Sequence, residues 1–476
     1  MPLARLLRQL ADRLDRRSFE GAAGGRRWAG LPAPQSWNQA ALANPTMRRR
    51  ADYFFQNSPW IRRGVKSYVS NLIGSGIRPQ SRHPDRAVRA AIMDLWSRWV
   101  EEVDTDGLTD LYGLQTLAAT SMVKTGEAFA RLRTRRLSDG LSVPLQLQAL
   151  SAEQCDSSLH RNIDQFRRIR AGVEFNALGR RVAYHVFPDR PGDPLPAANL
   201  QPVRVDARDI IHVFEPEEPG QVRGVTALHS VLLRLLDFDK FEDATLVLQQ
   251  VRALLNGFVV DPENATEASD LSAGYDKFKD QLISNGVKLE PGSLWTLPPG
   301  TDIKFNDPGA GTEAYPDYAK TQLRAIAAGL GVTFEQLSGD LEGVNFSSIR
   351  AGLIEFRRRI EAQQRQVIVH QLCRPIWRRF IATAILSEAL PGGVEGADLS
   401  PWFAVEWACP AWEWVDPLKD VQADREAVAA GFKSRQEVIE SRGRDPEAVD
   451  AEIAADSFAP VDTTGPASNQ SEEDNA

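Results

Sequence analysis

Three groups of residues in this 476-residue chain have types and spacing that could act on a ligand. The first is Arg350, Arg357, Arg358, Arg359 and Arg365, which share one long helical stretch. Ile349, Leu353, Ile354, Phe356, Ile360, Val367, Ile368 and Leu372 recur along its apolar side. The second is the pair Lys320 and Arg324, four apart and therefore on one face of another helix. The third is the loop between those helices, Ser338 to Phe346, which carries Gly339, Asp340, Gly343 and Asn345. Cations placed in this way suit contact with a passing polyanion. The plain alternatives are a core helix whose arginines face water, a solvated face at Lys320 and Arg324, and a flexible connector between the two helices.

No catalytic constellation competes with these groups. The chain has no G-x-x-x-x-G-K-[ST], no H-E-x-x-H, no C-x-x-C and no G-x-S-x-G. Gly74-Ser75-Gly76 follows a helix rather than a strand, which is the wrong context for a dinucleotide site. His83, His160, His185, His212, His229 and His370 are isolated and read as surface or packed imidazoles. Glu101-Glu102 and Glu217-Glu218 are adjacent in sequence, cannot share a helix face, and read as solvated charge. Cys155, Cys373 and Cys409 are odd in number and far apart, which fits buried free thiols rather than a disulfide framework or a zinc site. No enzyme, cofactor or metal is expected.

The length implies two to four packed regions, on the order of 100–200 residues per domain. Hydrophobic residues make up 42% and charged residues 25%, the profile of a soluble folded protein. No apolar run reaches the roughly 20 residues of a membrane span. The opening MPLARLLRQLADRLDRRSFE reads as a short amphipathic helix, not a signal peptide, so a cytoplasmic address is expected. The net charge of −8 hides a segregation: residues 1–80 hold 14 Arg and Lys against 4 Asp and Glu, whereas residues 416–476 hold 6 against 15. A net acidic chain that handles DNA should do so loosely and without reading sequence, as a channel does and a repressor does not.

Several elements must position these groups. After a Gly-, Ala- and Pro-rich arm, helical periodicity begins near Met47 and runs to Gly74 and Gly76. Helices follow at about Asp85–Val103 and Leu111–Lys124, then strands from Glu127, with NALG as a hairpin turn between Val173–Phe175 and Val182–Phe187. A long helix is expected from Thr226 to Leu255, short strands after it, and a helix from Tyr315 to Leu330 that breaks at Gly331. Ser347 or Ser348 reads as the cap of a helix reaching Leu386, about 60 Å long at about 1.5 Å per residue. An aromatic return, WFAVEWACPAWEWVDP, a polar helical segment to Asp456 and a disordered tail complete an α+β chain.

Seven segments carry a resemblance. They are ANPTMRRRADYFFQNSPWIRRGVKSYVSNLIGSGIRPQ, MVKTGEAFARLR, LQLQALSAEQCD, DIIHVFEPEEPGQVRGVTALHSVL, LEPGSLWTLPPGTDIKFNDP, YAKTQLRAIAAGLGVTFEQLSGDLEGVNFSSIRAGLIEFRRRIEAQQ and VDPLKDVQADREAVAAGFKSRQEVIESRGRDPEAV. In this order over residues 40–455 they resemble the portal proteins of the lambda-like phage family. The resemblance implies a portal fold with a mixed α/β wing, long stem helices, a small β-rich clip and a helical crown. On this sequence it implies a flexible N-terminal arm (1–45), wing (46–225), first stem helix (226–258) and clip (259–313). A second stem helix (314–332), tunnel loop (333–347) and long helix with aromatic return (348–415) follow, then the crown (416–456) and the tail (457–476).

The resemblance further implies a ring of about twelve copies of the chain at one capsid vertex. It would be the channel for DNA packaging and ejection, in the virion and, during assembly, in the host cytoplasm. Its partners would be double-stranded DNA without sequence preference, the terminase large subunit, a head–tail connector or adaptor, and a major capsid or scaffold protein, with no membrane. Lys320, Arg324, Arg350, Arg357 and Arg358 become candidates for the channel, and Gly339, Asp340, Gly343 and Asn345 for the tunnel loop. A few cations suffice in a ring, because one per subunit is repeated around it, and an acidic wall keeps DNA from sticking. The opposite charges of the arm and the C-terminal segment point to a contact between neighbours, with Arg48, Arg49 and Arg50 on its basic side. Two other classes stay open at this point: another phage head-assembly or connector protein, and a DNA-processing enzyme of the same gene cluster.

Overall fold

The structure, a computed structural model, describes residues 36–193, 201–254, 258–259, 295–296, 315–342, 346–390, 398–410, 412, 417–442, 444 and 446–456. The leading amphipathic segment, the Gly-rich arm, most of the expected clip and the tail lie outside these residues.

Four helices and their caps build the first layer. The helix Trp37–Asn57 opens on a capping box: Ser36 Oγ accepts the Gln39 N–H and the Gln39 side chain accepts the Ser36 N–H. It starts ten residues before the expected Met47. Pro45 sits inside it, and an interior proline, which removes one backbone hydrogen bond, had hidden the first turns from a periodicity reading. Pro59–Ile73 buries Ile61, Gly64, Val65, Tyr68, Val69, Leu72 and Ile73 on one side. It stops at Gly74, whose φ of 53° a side chain would strain. Arg86–Glu102 is capped by Asp85, and Leu111–Thr125 by Asp110.

The chain then turns to sheet, as the pattern after Glu127 required. Strands β1 (Arg78–Ser81), β2 (Glu127–Thr134), β3 (Leu145–Leu150), β4 (Arg161–Asn162), β5 (Arg168–Arg170), β6 (Val173–Phe175), β7 (Arg181–Val186), β8 (Val203–Asp206) and β9 (Ile210–Phe214) follow in chain order. One sheet runs β3-β2-β9, the other β4-β5-β6-β7-β8, all antiparallel. The expected NALG hairpin joins β6 to β7, with Leu178 and Arg180 N–H donating to Asn176 Oδ1. β2 carries Phe129 opposite His212 on β9, and its first residue, Glu127, opposite Phe214.

Later elements return to helix. Leu232–Leu254 starts six residues after the expected Thr226, because Thr226 folds its successors into turns: its Oγ1 accepts the Leu228 N–H and its carbonyl the His229 N–H. Strands β10 (Phe258–Val259) and β11 (Trp295–Thr296) pair in parallel. Tyr315–Leu330 has the expected limits, and a short helix, Phe334–Ser338, follows Gly331. The long helix runs from Phe346 to Leu386, so Ser347 and Ser348 lie inside it and neither is its cap. Its middle, Gln364–Cys373, is wound in the wider π register, in which the Arg374 N–H donates to the Val369 carbonyl five residues back. Pro375 follows at once. A proline ring clashes with the carbonyl four residues earlier in α geometry, and the wider turn before it relieves that conflict.

Two cores hold the layers together. The larger contains one side of the long helix, with Trp377 and Phe380 packed against Trp96 and Trp99, and β12 (Val405–Ala408) closing over it by pairing with β1. Phe356, Ile360, Val367, Ile368 and Leu372 are buried as expected, but Ile354 is 44% exposed. The smaller core lies beneath the five-stranded sheet around Val173, Phe175, Tyr184 and Cys155. Cys155 and Cys373 are buried free thiols and Cys409 is a half-buried one. Among the described residues no helix is long and apolar enough to cross a membrane, and no group of three or more metal-ligating side chains occurs.

Candidate functional site

The basic residues singled out in the sequence lie on two helices that enclose the loop. On Tyr315–Leu330 the buried side is Leu323, Ile326, Ala327 and Leu330, which leaves Arg324 exposed and Lys320 half-buried. The Arg324 guanidinium lies 5.5 Å over the Phe334 ring, so the cation is held at the point where the chain enters the loop. This helix is braced along its length by Leu232–Leu254: Arg234 donates to Gln322 at 2.7 Å, and Phe241 packs on Tyr315 and Tyr318. At the crossing, a side chain on Gly329 would begin 2.3 Å from Val231.

On the long helix, Arg358 is exposed and Arg357 half-buried, with its guanidinium 5.1 Å over the Trp412 ring. Arg359 reaches back to lie 5.9 Å over Tyr68 and against Gly331, where a Cβ would stand 1.7 Å from its Nη1. Arg350 is on the helical backbone, and its side chain lies outside the described residues, as do Gly343 and Asn345.

The loop's first residues are fixed. Thr333 and Gln336 form a capping box for Phe334–Ser338, and Leu337 inserts against Gly64 of Pro59–Ile73. Gly339 ends the short helix at φ 76°, with the Arg63 guanidinium so close that a Cβ would sit 2.7 Å from Cζ. The Asp340 N–H then donates to Ser338 Oγ at 3.1 Å, and Asp340 Oδ1 accepts the Glu342 N–H at 2.9 Å. Gly339 and Asp340 therefore form the anchor of the loop, and Leu341 and Glu342 after them are exposed.

Sequence reasoning missed a buried ionic cluster. Glu127, at the start of β2, is fully enclosed, and Arg48 and Arg223 both bind its carboxylate. Arg223 Nε lies 2.9 Å from each Glu127 oxygen, and the Gly224 N–H and His212 Nε2 supply further hydrogen bonds. The guanidiniums spend their remaining donors on the carbonyls of Thr125, Ala152, Ala171 and Cys155. Such a cluster leaves none of its charged side chains without a hydrogen-bond partner. His212 is a packed imidazole, stacked on Phe129 and bonded to Glu127. One expectation is corrected: Arg48 does not belong to a surface contact between neighbours, because it is 2% exposed while Arg49 and Arg50 face solvent. Helical period offered the signal: Asn44, Arg48, Ala51 and Phe54 form one buried line.

The cluster has an acid limit. Burial pushes His212 down to about 4, even though Glu127 favours its charged form. The unfolded imidazole titrates near 6.5, so between about 4 and about 6.5 the unfolded chain holds a proton that the folded chain lacks. Stability from this group is complete above about pH 6.5 and falls by about 3 kcal/mol as pH drops to about 4. Burial acts to raise the Glu127 carboxyl, but the Arg223 and Arg48 guanidiniums outweigh it and hold it well below the carboxylate range. Its contribution is lost only below about pH 4.3. Unfolding midpoints measured from pH 7 to pH 4.5 should therefore decline, and His212→Gln should flatten the decline. An unaltered slope in that variant would place the acid sensitivity elsewhere.

Comparison with known proteins gives these features a context. Residues 24–364 match the family described as phage portal protein, lambda family. The probable portal protein of Halomonas phage phiHAP-1 is 27% identical over 429 residues, covering 86% of this chain and 80% of that protein. Portal protein B of Escherichia phage lambda is 25% identical over 462 residues, covering 89% of this chain and 85% of that protein. Among solved structures, a chain from the neck of a native GTA particle computed with C12 symmetry is 14% identical at a TM-score of 0.42, covering 85% of this chain and 94% of that one. The matching relatives are named as portal proteins, a structural role rather than an enzymatic one. With most of its length inside the family match, the chain belongs to the lambda family of phage portal proteins.

Proposed function

We propose that this chain is the subunit of a ring of about twelve copies at one capsid vertex, through which DNA is packaged and ejected. The observation that carries the reading is the family match over residues 24–364. In the assembled particle the ring is part of the virion, and it is built in the host cytoplasm with a major capsid or scaffold protein. Leu232–Leu254 and Tyr315–Leu330, braced against each other, serve as the stem. The segment between them is the clip, docking the terminase large subunit during packaging and a head–tail connector afterwards. Residues up to 225 are the wing, and the helices Pro417–Ala429, Arg435–Ser441 and Pro446–Ala455 are the crown.

Lys320, Arg324, Arg350, Arg357 and Arg358 are the channel candidates. Their arrangement suits a duplex that must be guided without being held. Few cations per subunit limit the number of phosphates neutralised at once, and each neutralised phosphate adds affinity that slows passage. Native mass spectrometry with negative-stain class averages tests the assembly. Rings of about twelve copies with a central hole are expected. A chain that stays monomeric or dimeric when co-expressed with its capsid and scaffold proteins would overturn the reading.

A further inference from the structure

The helix Pro59–Ile73 buries one side completely, and its other side carries Arg62, Arg63 and Lys66. Lys66 stands four residues after Arg62 and three after Arg63 and so neighbours both on the exposed side, which continues over the hydroxyls of Ser67 and Ser70. Together with Pro59 they line a shallow recess that contains no carboxylate. Among the described residues none of the three cations forms an ion pair, in a chain whose surface arginines elsewhere commonly do, as at Arg98–Asp94, Arg167–Asp164 and Arg435–Asp450. The face is fixed in place: Arg62 lies 6.0 Å over the Phe55 ring, and Arg63 is packed on Gly339 at the root of the loop.

We propose that this face of Pro59–Ile73 is a phosphate contact for double-stranded DNA, continuous with the loop that starts at Gly339. The inference rests on the reading of the chain as a portal subunit and adds a contact on a helix outside the stem and the long helix. The chemistry is that of backbone positioning. Two guanidiniums, an ammonium and two hydroxyls on one shallow, open face would donate to phosphate oxygens, the groups that fix position on a duplex without reading its sequence. Arg63 couples this contact to the loop, since the guanidinium that would meet a phosphate also rests against the backbone from which the loop departs.

The test uses purified rings and a mixed-sequence duplex of about 30 base pairs, with binding followed by fluorescence anisotropy from about 50 to about 200 mM salt. Ring mass is measured in parallel for wild type, R62Q/K66Q and R62Q/R63Q/K66Q. Each lost phosphate contact should reduce the slope of log affinity against log salt by about 0.9. We expect both variants to keep the wild-type ring mass and to show a shallower slope, by about one unit or more in the triple variant. An unchanged slope in intact rings would reduce the face to a solvated one and overturn the proposal. Variants that lose the ring would instead assign the face to a contact with the acidic segment of a neighbouring copy, which also overturns it. Failure of the wild type to form rings even when co-expressed with its capsid and scaffold proteins is a different result, because it overturns the ring reading on which this proposal rests.

Discussion

Glu127→Ala should be among the most destabilising single substitutions in this chain, costing about 3–5 kcal/mol. The carboxylate is 0% exposed and is the shared counter-charge of Arg48 and Arg223, which are 2% and 1% exposed. Removing it leaves two guanidiniums enclosed beside each other with no anion, and burying an unpaired charge costs far more than the pair contributes when intact. The loss is a large part of the roughly 5–15 kcal/mol by which a folded domain is stable. Denaturant unfolding of the purified subunit measures it. Arg48→Met should cost less, because Glu127 keeps Arg223, His212 and the Gly224 N–H while an aliphatic chain fills the space. If Arg48→Met proved the costlier of the two, the cluster would not be organised around Glu127. The expected position of the damage also matters, since the cluster joins the helix Trp37–Asn57, both sheets and the segment at Arg223–Gly224.

Much of this framework could be read from local chemistry. Asp85 and Asp110 announce their helices because a short acidic side chain caps the free N–H groups of a first turn. Tyr315–Leu330 ends where Gly331 takes a positive φ, and Asn176 shapes the β6–β7 turn. What stayed hidden depended on partners distant in sequence or on backbone compromises. Glu127 is seventy-nine residues from Arg48 and ninety-six from Arg223, so no local pattern links them. The π register before Pro375 is a compromise between the proline and the packing of the long helix, and a 3.6-residue pattern passes through it unmarked. In the candidate channel, sequence spacing placed Lys320 with Arg324. It could not show that Arg357 turns toward Trp412, or that Arg63, far earlier in the chain than any of the candidate channel residues, lies against Gly339.

Replacing Leu341–Asn345 by an equal length of Ser-Gly repeat should leave rings intact and sharply lower the yield of DNA-filled particles. The limits of the replacement follow from the anchor. Gly339 needs its left-handed backbone under Arg63, and Asp340 closes the turn through Ser338 and Glu342, so a change beginning at Gly339 would disturb the seat of Leu337 against Gly64 as well as the loop. Beginning at Leu341, which is 68% exposed, the change leaves that anchor in place. A loop that only connects two helices tolerates such a replacement, because equal length and greater flexibility still close the gap at small entropic cost. A loop that touches the duplex does not tolerate it, since its contacts are lost while the subunit stays folded. Native mass spectrometry of the rings and counts of filled and empty heads separate the two. Intact rings with normal filling would make the segment a plain connector, and lost rings would make it part of the contact between neighbouring subunits.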